Sequence, residues 1–408
     1  MRVLLSTWGS RGDVEPVVGL AAELRALGAE VRVCAPPDEE FATLLAGVGV
    51  PLTPLGPTVR SVVAGERPPT AKDAFWLAPE LVAARFDTLA AAADGCDALL
   101  ATGLMPAGAR DVAEKLGIRY VLACFHTLGL PSPHFRPGTR PGAPSPDDET
   151  DNKVLWEQDA QRVNALYGEA LNSHRAAIGL PPVDNVRDHV FGDQPWLAAD
   201  PILWPWQQGM TDLDLVQTGA WILPDDRPLS AELEAFLDVG EPPVYVGFGS
   251  MAAYTPKDMA QVAVEAVRAQ GRRVLLARGW ADLALTDDRH DCFVVGEVNQ
   301  QALFPRVAAV VHHGGAGTTT TAARAGTPQV VVPHIADQPR WAARVAELGI
   351  GAAHDGTDHG KTTPGLESLS AALATALAPQ IRARATAVAG TIRTDGATVA
   401  AKLLLDRS

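Results

Sequence analysis

The sequence predicts an α/β protein made of two doubly wound domains, each with a parallel sheet between layers of helices. Short runs of Val, Leu and Ile alternate with longer stretches of helical periodicity, as in βαβ units. The strand-like runs are almost continuously apolar, which is typical of sheets buried on both faces. The alternation occurs in two blocks of similar size, and 408 residues suit two or three domains.

The individual strands and helices follow from the same apolar patterns. Strands are expected at Arg2–Ser6, Glu30–Cys34, Ala98–Thr102, Tyr120–Phe125, Val244–Gly247, Arg273–Ala277, Cys292–Val295, Ala308–His312 and Gln329–Val332. Helices are expected near Val17–Leu27, Ala107–Leu116, Met259–Gln270, Thr318–Ala325, Ala336–Leu348 and within Leu366–Leu405.

The two domains are expected to join within Ala199–Leu229, where prolines and tryptophans interrupt regular structure. A second irregular stretch, Pro131–Asn152, is dense in Pro, Gly, Ser and Asp and predicts a mobile loop or a lid. The domain assignment is residues 1–205 for an N-terminal domain, 206–229 for a linker, 230–390 for a C-terminal domain and 391–408 for a C-terminal helix.

The composition excludes several classes of partner. A formal net charge of −14 argues against binding to nucleic acid or to an anionic membrane surface. The four cysteines show no metal or disulfide spacing, so reduced thiols in a cytoplasmic protein are expected. The first apolar run is too short for a signal peptide, and no run is long enough to span a bilayer.

The segment 311–321 is a Gly-rich turn that leads from a predicted strand into a predicted helix. Such a turn leaves backbone N–H groups without partners at the positive end of a helix, which suits a phosphate group. The alternative is a tight turn that needs glycine for its geometry alone. The candidate phosphate ligands are His313, Gly315, Ala316, Gly317 and Thr318.

A similar turn, Gly9–Pro16, follows the first predicted strand. Its glycine spacing does not match the dinucleotide fingerprint, and no acidic residue stands at the end of the second strand, which disfavours a dehydrogenase. Ser10 and Asp13 are instead expected at the carboxyl edge of the sheet, where ligands bind in open α/β folds. Asp13 is either a helix-start carboxylate or a general base aimed into a cleft.

Three further turns carry candidate ligands. Ser250, after the predicted strand Val244–Gly247, suits a second phosphate contact. Trp280 is either a core residue or a side chain that flanks a base or a sugar. Asp337 and Gln338 offer hydrogen bonds to vicinal sugar hydroxyls, although an Asp is also common at the start of a helix.

The sequence does not support a serine hydrolase, a P-loop nucleotide site or a metal site. The chain has no nucleophile-elbow motif and no P-loop. His312 and His313 are neighbours on a strand and point to opposite faces, so they form a poor metal pair. Asp212 and Asp214 are expected in a solvated turn rather than at a metal.

Taken together, these segments resemble the glycosyltransferases of glycopeptide-antibiotic biosynthesis, the vancomycin and teicoplanin group with the GT-B fold. The resemblance covers the whole chain. It is carried by Gly9–Pro16, Asn172–Val183, Gln217–Pro224, Gly247–Ser250, Arg278–Trp280, Glu297–Gln300 and His312–Thr318.

The resemblance implies two Rossmann-like domains that face each other across a cleft. The N-terminal domain would bind the acceptor, a glycopeptide heptapeptide. The C-terminal domain would bind the nucleotide-sugar donor, and the C-terminal helix would cross back to the first domain. It further implies a metal-independent, inverting transfer from a UDP- or TDP-sugar to a hydroxyl of the aglycone or pseudoaglycone, with no cofactor.

The resemblance also implies roles for individual residues. Asp13 matches the catalytic base and Ser10 a neighbouring contact in the cleft. The candidate phosphate contacts are Ser10, Ser250, His313, Gly315, Ala316, Gly317 and Thr318. The candidate base contacts are Arg278, Trp280 and Val298, and the donor-sugar pair is Asp337 and Gln338. One departure is Thr321, since the wider motif has a ribose-binding Glu at that position. The alternatives are a nucleotide-sugar epimerase on the same fold and a non-catalytic nucleotide-sugar-binding helper.

Overall fold

The structure, a computed structural model, contains two parallel sheets with helices on both faces. It describes residues 1–63, 70–138, 149–207, 209–251, 258–280, 283, 289–354 and 365–406. Ten residues of the expected loop Pro131–Asn152, namely 139–148, lie outside this description. The prediction of two Rossmann-like domains is confirmed by the two sheets.

The N-terminal sheet has seven parallel strands in the order β3-β2-β1-β4-β5-β6-β7. The strands are β1 (Arg2–Trp8), β2 (Glu30–Ala35), β3 (Leu52–Pro54), β4 (Ala98–Gly103), β5 (Arg119–Cys124), β6 (Trp196–Leu197) and β7 (Val216–Gln217). The helices are α1 (Arg11–Ala26), α2 (Glu39–Gly47), α3 (Val59–Val63), α4 (Ala71–Ala92), α5 (Ala109–Leu116), α6 (Asn152–Ala177) and α7 (Val186–Phe191).

The C-terminal sheet has six parallel strands in the order β10-β9-β8-β11-β12-β13. The strands are β8 (Val244–Gly247), β9 (Val274–Ala277), β10 (Cys292–Val295), β11 (Ala309–His312), β12 (Gln329–Val331) and β13 (Gly351–Ala353). The helices are α8 (Ala231–Asp238), α9 (Met259–Ala269), α10 (Gln300–Leu303), α11 (Ala316–Arg324), α12 (Gln338–Glu347), α13 (Leu366–Ala376), α14 (Pro379–Ala389) and α15 (Gly396–Leu405).

Strand β1 shows why the strands are apolar on both faces. Val3 and Leu5 pack with α1 on one side of the sheet, whereas Leu4 packs with α4 and α6 on the other. All three side chains are fully buried. A strand covered on both faces therefore needs an apolar residue at every position, which is the pattern that the sequence shows.

Helix α1 begins six residues earlier than the expected Val17, at Arg11. The carbonyl oxygen of Ser10 accepts hydrogen bonds from the N–H groups of Asp13 and Val14, at 2.8 and 3.1 Å. The first helical turn thus forms at the Gly-Ser turn, and Pro16 lies inside the helix. The early start places Asp13 in the first turn of α1 at the carboxyl edge of the sheet.

The connection between the domains is more structured than the predicted linker 206–229. Val216 and Gln217 form β7 at the edge of the N-terminal sheet, inside that range. A strand of two residues is too short to show an apolar period in the sequence. Its extended conformation is instead stabilised by pairing with β6. Among the described residues, no helix is both long and apolar enough to cross a membrane.

The C-terminal helix α15 packs against α1 of the N-terminal domain. Ala400, Ala401 and Leu404 are buried in the same cluster as β1, and Thr398 Oγ1 donates a 2.9 Å hydrogen bond to Glu23. At the start of α15, the backbone of Gly396 touches the backbone at residues 219–220. The chain therefore closes on its first domain through a contact that leaves no room for a side chain.

This contact predicts the effect of a single added methyl group. A Cβ at position 396 would overlap the carbonyl oxygen of Ala220. Gly396→Ala should lower the free energy of unfolding by about 1–3 kcal/mol, since overpacking forces the backbone apart. Urea denaturation measures this change. Gly168→Ala, in the interior of α6 where a Cβ meets its nearest atom at 3.9 Å, is the control and should be neutral or stabilising.

Candidate functional site

The candidate site lies at the carboxyl ends of neighbouring strands in the two sheets. Strands β8, β11 and β12 are adjacent in the C-terminal sheet, and the turns after them carry Ser250, His313 and Asp337. The turn after β1 carries Ser10 and Asp13. Arg11, at the start of α1, forms a 3.1 Å ion pair with Glu297, which follows β10, so these two edges face each other.

The N-terminus of α11 has the properties expected of a phosphate site. Its N-cap, Gly315, makes no side-chain cap, so the N–H groups of the first turn point outward. A Cβ at Gly317 would meet no atom within 4 Å, which shows open space in front of the turn. The hydroxyls of Thr319 and Thr320 donate to the backbone at 2.8 and 2.7 Å, which leaves Thr318 as the hydroxyl best placed for a ligand.

The imidazole of His313 lies between two glycines. A Cβ at Gly249 would come within 3.3 Å of the His313 ring, and one at Gly315 within 2.7 Å. Nδ1 of His313 is buried and has no hydrogen-bond partner among the described residues. Burial and, to a smaller extent, the neighbouring His312 and His334 together lower the pKa of His313 to about 3. The ring is therefore neutral, with one ring nitrogen available to a ligand.

The neighbouring His312 shapes the turn instead of facing the site. It is fully buried, its Nε2 lies 2.9 Å from Gln329 Oε1, and its Nδ1 accepts a 3.1 Å hydrogen bond from the N–H of Gly314. Gly314 has a φ of +94°, a conformation that favours glycine. The two histidines thus have different roles, as the alternation of side chains along a strand predicts.

The carboxyl group of Asp13 folds back over Gly9, where any Cβ would overlap it. Burial and, to a smaller extent, the negative charge of Asp337 together raise the pKa of Asp13 to about 7. Hydrogen bonds from Ser10 oppose this shift but do not cancel it. Asp13 thus lies in the first turn of α1, and its raised pKa is compatible with a general base. Whether it acts as a helix-start carboxylate or as a base stays a prediction.

The loop before α12 is braced by Gln338. Its Oε1 accepts hydrogen bonds from the N–H groups of His334 and Ile335, at 2.7 and 3.1 Å. Among the described residues, Ala336 is the non-glycine residue with a positive φ, +55°. Such a conformation costs about 1–3 kcal/mol and persists where the surroundings enforce it.

These hydrogen bonds limit how Gln338 and Asp337 could contact a donor sugar. Gln338 is 6% exposed, its amide oxygen is used by the loop, and its Nε2 donates a 3.6 Å hydrogen bond to Met251 Sδ. Only the second N–H of Nε2 is left for a sugar hydroxyl. Asp337 lies at the N-cap of α12, and its Oδ2 accepts a 2.6 Å hydrogen bond from Trp341 Nε1. The carboxylate is therefore fixed by a residue that the sequence analysis did not select, although the i, i+4 spacing on a predicted helix was visible.

The three candidate base contacts occupy different surroundings. Val298 packs partly buried against the cluster around Leu233 and Phe304. Arg278 is exposed, and its N–H donates to Val295 at 3.0 Å. Trp280 packs against the N-terminal core with the Arg60 guanidinium 4.9 Å from its ring, so it lies between the two domains.

An ion-pair network beside Val298 also joins the domains. Arg11, at the start of α1, pairs with Glu297 at 3.1 Å, and Arg227 pairs with the same carboxylate at 3.0 Å. Although burial opposes the effect, Arg11 and Arg227 lower the pKa of Glu297. The sequence offers no signal for this network, because its partners are far apart along the chain.

One cluster of described residues has the spacing of a metal site, and it lies in the N-terminal domain. Asp111, Glu114 and His189 bring their ligand atoms within 4.8 Å of one another. Arg175 already pairs with Asp111 at 2.5 Å and with Glu114 at 2.9 Å. The guanidinium supplies the positive charge that a metal would supply, so the cluster is better explained as an ion-pair network.

Comparisons with known proteins show which proteins the chain is similar to. The family described as "Erythromycin biosynthesis protein CIII-like, C-terminal domain" matches residues 289–396. The chain is 61% identical to glycosyltransferase GtfE of Amycolatopsis orientalis, over 99% of this chain and 97% of that protein. It is 59% identical to the vancomycin aglycone glucosyltransferase of the same organism, over 100% and 97%. It is 54% identical to that organism's dTDP-epi-vancosaminyltransferase, over 95% and 93%.

Solved structures share the fold at low sequence identity. The glycosyltransferase of kitacinnamycin matches with a TM-score of 0.71 at 20% identity, over 99% of this chain and 97% of that chain. Spinosyn forosaminyltransferase matches with a TM-score of 0.72 at 18% identity, over 99% and 98%.

The position of His313 predicts a selective loss of affinity. His313→Ala removes a ring nitrogen from the phosphate turn and leaves the backbone in place, so UDP binding should weaken by about 1.5–3 kcal/mol. Uridine, which has no phosphate, should bind almost as before. Calorimetry with both ligands measures the two changes. An equal loss for UDP and uridine would show instead that the turn has collapsed.

Proposed function

The chain belongs to the glycosyltransferases of glycopeptide-antibiotic biosynthesis, and we propose that it is an inverting, metal-independent enzyme with a glycopeptide acceptor. It would transfer one sugar from a UDP- or TDP-sugar to a hydroxyl of the heptapeptide aglycone or pseudoaglycone. The observation that carries this proposal is the position of Asp13, a partly buried carboxyl group with a pKa of about 7 that faces the donor-site turns. An epimerase or a non-catalytic helper is not favoured, because the relatives are named as transferases.

The proposed reaction is a single displacement at the anomeric carbon. Asp13 accepts the proton of the acceptor hydroxyl while the hydroxyl oxygen forms a bond to that carbon. The bond from the anomeric carbon to the diphosphate oxygen breaks, and its electron pair leaves with the diphosphate. A base whose pKa lies near the working pH combines sufficient basicity with the correct protonation state.

The leaving diphosphate would gain its negative charge in front of α11. The N–H groups of Ala316, Gly317 and Thr318 stand at the positive end of that helix. His313 and Ser250 add hydrogen-bond donors from the adjacent strand ends. Donors that are already oriented need no rearrangement as charge develops, which is the basis of this kind of stabilisation. The proposal therefore requires no metal ion.

The donor sugar would meet Asp337 and the Nε2 of Gln338. One acceptor and one donor group suit adjacent hydroxyls of an ordinary hexose. A site built to bond hydroxyls discriminates against sugars that lack them, since its polar groups would stay unpaired. We therefore propose UDP-glucose or UDP-N-acetylglucosamine as donor, in preference to a TDP-deoxyamino sugar.

The proposed function is tested by incubating the enzyme with a glycopeptide aglycone and a panel of UDP- and TDP-sugars. Mass spectrometry should show the aglycone with one added sugar. Nuclear magnetic resonance of the product should show the anomeric configuration opposite to that of the donor. A product with retained configuration would contradict the single displacement, and the absence of product with every donor would contradict the proposed acceptor.

The role of Asp13 predicts both a rate and a pH profile. Asp13→Asn keeps the shape but accepts no proton, so turnover should fall by about 10²–10⁴-fold while UDP affinity stays near wild type. In the wild-type enzyme, the carboxyl group must be ionised, so turnover should fall as the pH drops through about 7. Steady-state kinetics across pH measure both effects. Wild-type turnover in the variant would reduce Asp13 to a helix-start residue.

The donor site predicts a preference among sugars. UDP-glucose or UDP-N-acetylglucosamine should outcompete a 2,3,6-trideoxy-3-amino donor, and Gln338→Ala should reduce this preference. Because Gln338 also braces the loop through His334 and Ile335, the variant should lose some stability as well. Competition assays followed by mass spectrometry measure the preference. A wild-type enzyme that prefers the deoxyamino donor would show that the sugar is recognised elsewhere in the cleft.

A further inference from the structure

The carboxylate of Asp337 is oriented by a buried tryptophan. Trp341 Nε1 donates a 2.6 Å hydrogen bond to Asp337 Oδ2 from one turn further along α12. Trp341 is 1% exposed, so water does not compete for this bond. A carboxylate with one oxygen fixed by a rigid indole has little freedom at its other oxygen, which then points in a defined direction.

Trp341 itself packs against Trp204, which lies at the end of the N-terminal domain. Its ring lies 4.8 Å from that of Trp204 at an interplanar angle of 55°. Trp204 is 2% exposed, and its Nε1 donates a 3.1 Å hydrogen bond to Thr127 Oγ1. Thr127 follows β5 in the N-terminal domain. Two tryptophans thus connect the donor-site carboxylate to the loop after β5.

Arg340 provides a second hold on the same loop. Its guanidinium lies 5.2 Å from the Trp204 ring and 5.7 Å from the ring of Phe135, in the N-terminal domain. Cation–π contacts of this kind contribute more when they are shielded from water. Two adjacent residues in the first turn of α12, Arg340 and Trp341, therefore contact the N-terminal domain.

We propose that Trp341 is a positioning residue for the donor sugar, which acts by holding Asp337 in the orientation that accepts a sugar hydroxyl. The inference rests on the proposed role of Asp337 in donor binding. The loop after β5 would stabilise this orientation through Thr127 and Trp204, so the donor site is complete only when the two domains are in contact.

Trp341→Phe tests the hydrogen bond while it preserves the packing, because phenylalanine keeps a ring against Trp204. We expect the affinity for UDP-glucose to fall about tenfold, as for the loss of a hydrogen bond to a charged group. The affinity for UDP should change less than twofold. Calorimetry in the absence of acceptor measures the affinities for UDP-glucose and UDP. If the wild type does not bind UDP-glucose, the same measurement is made with TDP-glucose and TDP.

Trp221→Phe is the matched control. Trp221 is 2% exposed and donates a 3.0 Å hydrogen bond to Thr218 Oγ1, outside the donor-site loop. It should lose a comparable amount of stability in thermal unfolding without any change in UDP-glucose affinity. This control separates the loss of stability caused by removing any buried indole N–H from a loss of donor affinity that acts through Asp337.

A double-mutant cycle with Asp337→Ala decides how Trp341 acts. If Trp341 works through Asp337, adding Trp341→Phe to Asp337→Ala should cause no further loss of UDP-glucose affinity. Additive losses, or equal losses for UDP and UDP-glucose, would overturn the inference. Wild-type affinity of Trp341→Phe for UDP-glucose would overturn only the inference about Trp341. Wild-type affinity of Asp337→Ala would overturn the proposed role of Asp337 as well.

Discussion

The partial burial of Asp13, in the electrostatic field of Asp337, is the constraint on which the rest of the site depends. These carboxylates belong to different domains, and the negative charge of Asp337 adds to burial in raising the pKa of Asp13 to about 7. Two like charges are disfavoured near each other unless the surroundings hold them there. The contacts around α12 and the pairing of Arg11 with Glu297 supply that restraint from both sides of the cleft.

The glycines of the turns serve this arrangement in specific ways. Gly9 makes room for the carboxyl group of Asp13, whereas Gly249 and Gly315 enclose the ring of His313. At each of these glycines a side chain lies close to the backbone, and a Cβ at the glycine would overlap or crowd that side chain. The phosphate turn and the turn that carries Asp13 thus share one local feature, a Gly-rich connection from a buried strand to a helix.

The long strands and the site-bearing turns could be predicted because their signals are local. A strand such as β1 or β11 is covered on both faces and is recognisable from a continuous apolar run. The short strands β3, β6, β7 and β13 were missed, because their neighbours supply the pairing and they have no marked apolar run. The equally short β12 could be predicted, since three consecutive valines follow Gln329. The brace by Gln338 and the pairing of Arg11 with Glu297 were also missed, since a residue type does not reveal which of its partners will be near in space.

The central claim is that burial and Asp337 together tune Asp13 to act as a base, and its own titration tests this most directly. Carbon-13 NMR of aspartate-labelled protein, assigned by comparison with Asp13→Asn, reports the ionisation of this carboxyl group. The account predicts a pKa of about 7 in the wild type and a lower value in Asp337→Asn, which removes the repelling charge. A wild-type value near 4, the ordinary range of an exposed aspartate, would contradict it.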